Sequence, residues 1–297
     1  MRKVLVVGST GNLGSQITQA LLERNCHPRL LVRSGSRQKL NPEIATATEV
    51  VEDLGGAFDG IDTVVSAVQG GPETIIDTQL ELLRGARAAG VSRFIPSDFS
   101  MNLFGLAEGE NINSDWRREF ARRAEEERGS VDVVHVLQGC FLDEGVLFGF
   151  LNAIDLDRNE AYLWGDGNAD MQFTTYADTA AYTAEAALDE QPVPSRFYIA
   201  GDSLNFHRLV AEVSTGLGRP LAVQRLGTLA ELDTEIQTRM SREPANPMAW
   251  LPLMYWRGML NGKGALGPLM KQRYPAIQPT TVREYVSELA HHPTARA

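Results

Sequence analysis

The chain has 297 residues, 43% of them hydrophobic and 22% charged, with a net charge of −10 at pH 7. That length allows one large domain or a large domain with a smaller lobe, and the acidic balance disfavours a nucleic-acid surface, which is usually basic. Two cysteines, Cys26 and Cys140, make neither a disulfide framework nor a zinc pair, so free thiols in a reducing cytoplasm are expected.

No apolar run nears the roughly 20 residues of a membrane span. The run Val4–Val7 stops at Gly8, too short for the core of a signal peptide. Residues 3–7 read as a buried strand and 12–24 as a helix, with Leu13, Ile17, Leu21 and Leu22 on one stripe. Further strands are expected at 29–33, more weakly at 49–52, then at 63–67, 93–96 and 131–137. Between them, 73–89 predicts a long helix ending at Gly90 as its C-cap, and 114–128 a charged helix with Ser114 as N-cap. Such repeated β-α-β units imply a parallel sheet with helices on both faces. Residues 147–154 are apolar and are expected to be a buried loop or helix.

Beyond about residue 140 the rhythm changes. A strand and glycine-rich turn over 162–170 lead to a strand at 171–175, an alanine-rich helix at 178–188, a strand at 196–200 and a helix at 206–217. Residues 248–267 are rich in Trp, Met, Leu and Gly without a clean period, and are assigned to a smaller lobe beside the sheet. The tail, 291–297, is expected to fray.

One motif falls where chemistry needs it. Gly8, Gly11 and Gly14, with Thr10, Asn12 and Leu13 between them, join the first strand to the first helix in a GxxGxxG spacing. The chain must turn sharply there, a pyrophosphate must approach the backbone at Gly11, and Gly14 lets the helix pack close to the strand. The expected fold is therefore α/β: a Rossmann-type doubly wound parallel sheet with a smaller C-terminal α+β substrate lobe. The cofactor domain is assigned to 1–150, with contributions from about 171–200, and the lobe to 151–297. Where an NAD site usually places an acidic residue after the second strand, this chain has Arg33, followed by Ser34, Arg37 and Lys39. A guanidinium fork suits a 2′-phosphate, so NADP(H) is expected in preference to NAD(H).

With these residues placed, the chain resembles the NmrA-like and isoflavone-reductase-like branch of the atypical short-chain dehydrogenases. The resemblance runs through the glycine motif, Arg33, the strand end at 63–68, the segment Arg93-Phe94-Ile95-Pro96-Ser97-Asp98-Phe99, Gly139-Cys140-Phe141, and 173–178. It implies that Ser66, Ala67 and Val68 lie near the cofactor ribose. It also implies that Pro96, Ser97 and Phe99 lie beside the nicotinamide, and that Gly139, Cys140 and Phe141 lie under or next to the ring.

The proton donor is less defined. No tyrosine is followed four residues later by the lysine that ordinary short-chain dehydrogenases use to lower its pKa. The resemblance instead implies one lysine on the helix after the fifth strand, but the lysines are only Lys3, Lys39, Lys263 and Lys271, and that position falls near Arg118. Arginine stabilises an anion but is a poor proton donor. Asp98 and Arg118 are thus the catalytic candidates. His135 reads more readily as a core residue, and nothing near Cys140 in sequence lowers its pKa. The loop 100–113, with apolar Met101, Leu103, Phe104 and Leu106, is the expected substrate-facing loop. Two functions follow: an NADPH-dependent reductase of a small apolar or aromatic carbonyl, enone or quinone, or a cofactor-sensing regulator that binds a partner protein and does no chemistry. A cytoplasmic location is expected, with no metal, nucleic acid or membrane partner.

Overall fold

In the computed structural model, which describes residues 2–291, the first half alternates strand and helix. The elements are β1 (Val4–Val7), α1 (Asn12–Glu23), β2 (Arg29–Leu31), α2 (Pro42–Ala47), β3 (Glu49–Val51) and β4 (Thr63–Ser66). They continue with α3 (Gln79–Ala88), β5 (Arg93–Ile95), α4 (Ile112–Glu127), β6 (Asp132–Val133) and β7 (His135–Leu137). The sheet order is β3-β2-β1-β4-β5-β6, with every pairing parallel. Side-chain alternation explains why both faces are covered. Val4, Val6, Val65 and Ile95 pack toward Ile17 and Leu21 of α1. Leu5, Val7, Val64 and Phe94 pack toward Leu80, Leu83 and Phe120 on α3 and α4. Strands buried on both faces read as the near-continuous β-branched runs seen here.

The second half supplies β8 (Cys140–Phe141), β9 (Ile154–Asp155), β10 (Glu160–Trp164), β11 (Met171–Thr174), α5 (Tyr176–Leu188), β12 (Arg196–Tyr198) and β13 (Asp202–Leu204). After them come α6 (Phe206–Leu217), β14 (Ala222–Gly227), α7 (Leu229–Arg242), α8 (Leu251–Leu260) and α9 (Val282–His291). Tyr182 and Ala186 of α5 share a core with Ile17 and Leu21 of α1, so this helix returns to the first sheet. The small sheets β14-β10-β9 and β13-β11-β8 stand beside it, with α6 packed on α9 and α7 on α8. No helix among the described residues is long and apolar enough to cross a membrane.

Several expectations change in detail. The sixth strand is broken at Val134: its N–H donates to Phe94 O, whereas the next N–H, of His135, donates to Ser195 O. The chain thereby leaves β5 and carries the sheet on to β12. The helix expected over 73–89 begins as a π-helical turn, Glu73–Thr78. The charged helix starts two residues early, because Asn111, not Ser114, is its N-cap and accepts the Ser114 N–H. The apolar stretch near 150 holds a second π-helical turn, Val146–Phe150, then β9. The aperiodic 248–267 stretch contains α8. The tail lies outside the described residues apart from His291, which ends α9.

Candidate active site

The carboxyl ends of β1, β2, β4 and β5 form one rim, and the strand order reverses between β1 and β4, where open α/β sheets place ligands. Gly8 turns there with φ +87°, and a Cβ on it would stand 2.5 Å from Ala67 O. A Cβ on Gly14 would stand 2.2 Å from Gly8 O, so close packing of helix on strand demands glycine. Gly11 differs: its nearest neighbour would be Gly8 O at 3.4 Å, and it is exposed with Thr10 and Asn12, while Leu13 is half-buried. Gly11 is also the N-cap of α1 and supplies no side-chain cap, leaving the first amides for an external acceptor. Beyond β2, Arg33, Ser34, Arg37 and Lys39 are exposed, and none of the three cations joins an ion pair among the described residues. Ser66 ends β4 and is buried, with Ala67 and Val68 half-buried after it.

The segment after β5 is wired from several directions. Ser97 Oγ donates to Val68 O at 2.7 Å, and Ser97 N–H donates to Gln79 Oε1 at 2.8 Å. Gln79 is itself fixed by donating to Ile75 O at 2.7 Å. Arg117 Nε donates to the carbonyls of Ser97 and Asp98 at 3.1 and 3.2 Å. This wiring holds buried Phe99 at φ +29°, a conformation that costs a non-glycine residue about 1–3 kcal/mol and clusters at functional sites. Gly139, at φ +81°, has no room for a Cβ, which would meet Gln172 O at 2.2 Å. The Gln138 and Gly139 amides both donate to Ser100 O at 3.1 Å, so the two segments expected to flank a nicotinamide are joined directly. The Phe141 ring stacks on Tyr176 with centroids 4.0 Å apart. Burial pushes the Cys140 thiol up, which keeps it protonated and leaves no support for a redox role.

The two catalytic candidates are committed elsewhere. The Asp98 side chain is fully enclosed, its Oδ2 lying 2.5 Å from His135 Nδ1. Facing a carboxylate, that nitrogen is the donor. Asp98 therefore pins the segment to β7 and does not line the open rim. Arg118 donates to Leu103 O at 3.0 Å and Ala107 O at 3.1 Å, and pairs with Asp115. These contacts commit Arg118 to the loop 100–113 and to Asp115 on its own helix, and none of them lies on the rim. Three of the loop's apolar residues pack into the interior. Met101 and Leu106 pack on Gly258 of α8, and Leu103 joins Leu137 and Tyr198. Phe104 is half-buried, with the Arg196 guanidinium 4.2 Å over its ring.

Two contributors escaped the sequence reading. Gln79 carries one signal, a polar residue inside an apolar helical stripe. Tyr255 lies in the aperiodic 248–267 stretch between buried Met254 and Trp256, but is itself half-buried and accepts a hydrogen bond from Asn113 Nδ2 at 3.2 Å.

Comparison with known proteins gives a family model, the NmrA-like family, matching residues 1–285. Phenylcoumaran benzylic ether reductase PT1 of Pinus taeda is 26% identical, over 96% of this chain and 97% of its own length. The structure described as AtPrR2 with NADP+ and (+)pinoresinol superposes with a TM-score of 0.78 at 21% identity, covering 97% of this chain and 98% of that one. The binary complex of leucoanthocyanidin reductase with NADPH from Vitis vinifera gives 0.78 at 20% identity, covering 98% and 100%. With the whole Rossmann-type sheet and nearly all of the second lobe inside the match, this chain belongs to the NmrA-like family.

Proposed function

We propose that the chain is an NADPH-dependent reductase that delivers hydride to a small apolar or aromatic carbonyl, enone or quinone. The observation that carries the reading is the rim: a glycine turn whose exposed middle residue would meet nothing closer than 3.4 Å with a Cβ, beside Arg33, which joins no ion pair among the described residues. Gly14 and Gly8 are required by packing, whereas Gly11 is not, so its lack of a side chain serves something outside the chain. The α1 amides would hold a pyrophosphate, and Arg33, with Ser34, Arg37 and Lys39, a 2′-phosphate. Ser66–Val68 would border the ribose, and Pro96, Ser97, Phe99 and Gly139–Phe141 the nicotinamide. Bound there, the cofactor supplies hydride. The chain's part is to orient it, to fix the ring-flanking segments through Gln79 and Arg117, and to keep water out. In this reading 1–150, with 171–200, hold the cofactor, 151–297 cover the substrate, and the protein works in the cytoplasm. The substrate class is supported by relatives that are named as reductases of aromatic compounds.

The test is NADPH oxidation by the purified protein with 1,4-naphthoquinone, chalcone and aromatic ketones. Steady turnover with a panel member is expected. A protein that binds NADPH and reduces nothing contradicts the reading and favours the cofactor-sensing regulator. One observation favours that second reading: no lysine lies on α4, and Arg118 is spent on the loop. A partner whose capture depends on cofactor redox state is its own expected outcome.

A further inference from the structure

We propose that Tyr255 is the hydroxyl that hydrogen-bonds the acceptor oxygen of the substrate and supplies its proton, with Asn113 orienting it. The inference rests on the reductase reading. It begins from a deficit: neither Asp98 nor Arg118 reaches the rim, so the group that stabilises developing negative charge on the acceptor must come from another element.

Tyr255 is held by the elements that follow the two segments expected to flank the nicotinamide. Asn113 lies on the first turn of α4, one turn, about 5.4 Å, before Arg117, which grips the carbonyls of Ser97 and Asp98. Arg117 also donates to Asn113 O at 2.9 Å, locking that turn. On the other side, the Phe150 ring meets the Tyr255 ring edge-on, with centroids 5.7 Å apart, and Phe150 ends the π-helical turn that follows β8. One phenol is thus held by the elements that follow β5 and β8.

The hydrogen-bond sense matters. The Asn113 amide donates to Tyr255 Oη, so the phenol's own proton stays free for an acceptor and its oxygen is stabilised as negative charge develops. Other tyrosines are committed differently. Tyr162 and Tyr274 donate to Glu160 and Asp189, Tyr182 and Tyr198 are buried, and Tyr285 lies on α9, packed against α6, with the Glu144 amide on its oxygen. Tyr176 lies flat on Phe141, and burial, with Asp143 nearby, pushes its phenol up to about 12, which makes it the poorer donor.

The step balances. The carbonyl carbon gains hydride from the reduced cofactor, which is oxidised. The carbonyl π pair moves to oxygen, the oxygen takes the Tyr255 proton, and water restores that proton.

The test uses the whole chain, Tyr255→Phe, Asn113→Ala and, as control, Tyr176→Phe. Tyr255→Phe is expected to lower kcat for 1,4-naphthoquinone about 100-fold, with NADPH affinity unchanged. Asn113→Ala is expected to lower kcat less, about tenfold, and Tyr176→Phe hardly at all. The second readout is the infrared carbonyl stretch of the same quinone bound to the NADP+ complex, where no turnover occurs. The wild type is expected to show a red-shifted band that Tyr255→Phe loses. Unchanged kcat and band in Tyr255→Phe overturn the proposal, as does a parallel loss of NADPH affinity, which makes Tyr255 merely structural. A wild type that binds no quinone overturns it too. If NADPH is never oxidised yet the band shift depends on Tyr255, the reductase reading falls and the carbonyl-donor assignment stands.

Discussion

At the scale of single residues, three glycines in one motif answer to different demands, and the difference is measurable. Gly14→Ala puts a Cβ at 2.2 Å from a backbone oxygen, so the helix must back away from the strand. Gly11→Ala meets nothing closer than 3.4 Å. The expected outcome is a lowered melting temperature for Gly14→Ala, and a normal melt with NADPH affinity at least about tenfold weaker for Gly11→Ala, since the backbone must approach the pyrophosphate closely. Melting curves beside nicotinamide fluorescence titrations decide it; a Gly11→Ala protein with unchanged affinity removes the assignment. Arg93 makes a second case. It is 1% exposed, and its guanidinium donates to the carbonyls of Ala186, Asp189 and Gln191 at the end of α5. Hydrogen bonds to a charged group contribute about 1.5–3 kcal/mol each, so Arg93→Leu should lose about 3 kcal/mol or more in urea unfolding. A loss below 1 kcal/mol, roughly the value of one neutral hydrogen bond, contradicts that role. The glycines were legible because spacing against a strand fixes them. Asp98 and Arg118 were not, because each side chain's destination, His135 or the loop carbonyls, is decided by tertiary neighbours.

At the scale of elements, the loop 100–113 is a clamped strap. Arg118 holds it from α4, and Glu110 ties it to the second lobe through Lys263 at 2.5 Å and Arg257 at 3.5 Å. Burial alone would raise the Glu110 carboxyl, but Lys263, the Ala107 amide and Arg257 outweigh it and hold the group below the usual range. A carboxyl depressed by folding adds stability above its unfolded value, about 4.3, and loses it as pH falls through the folded value. The protection of loop amides, relative to their intrinsic exchange rates, should therefore fall as the pH drops below about 4, and Glu110→Gln should flatten that dependence. An identical profile in the variant argues against the clamp. The apolar character of this strap was visible in sequence, but its direction was not. Met101 and Leu106 find α8 only because Gly258 and Gly264 leave room for them.

At the scale of the whole molecule, legibility follows burial. Strands covered on both faces announce themselves as β-branched runs, and so the parallel sheet could be read from the first half. In the second half β14 is an edge strand of mostly exposed residues, and it carries no alternation to read. The helix after it did carry a signal, the Thr228–Glu231 capping box, which the sequence reading passed over. Cofactor and substrate would meet at the carboxyl ends of β1, β4 and β5, which makes cofactor choice the test of the whole reading. The most direct measurement is titration of the wild type and Arg33→Ala with NADPH and NADH, following nicotinamide fluorescence. The wild type is expected to bind NADPH at least tenfold more tightly than NADH, roughly the value of one charge-assisted contact, and Arg33→Ala is expected to weaken NADPH far more than NADH. Equal weakening of both, or a wild type that prefers NADH, would contradict that reading.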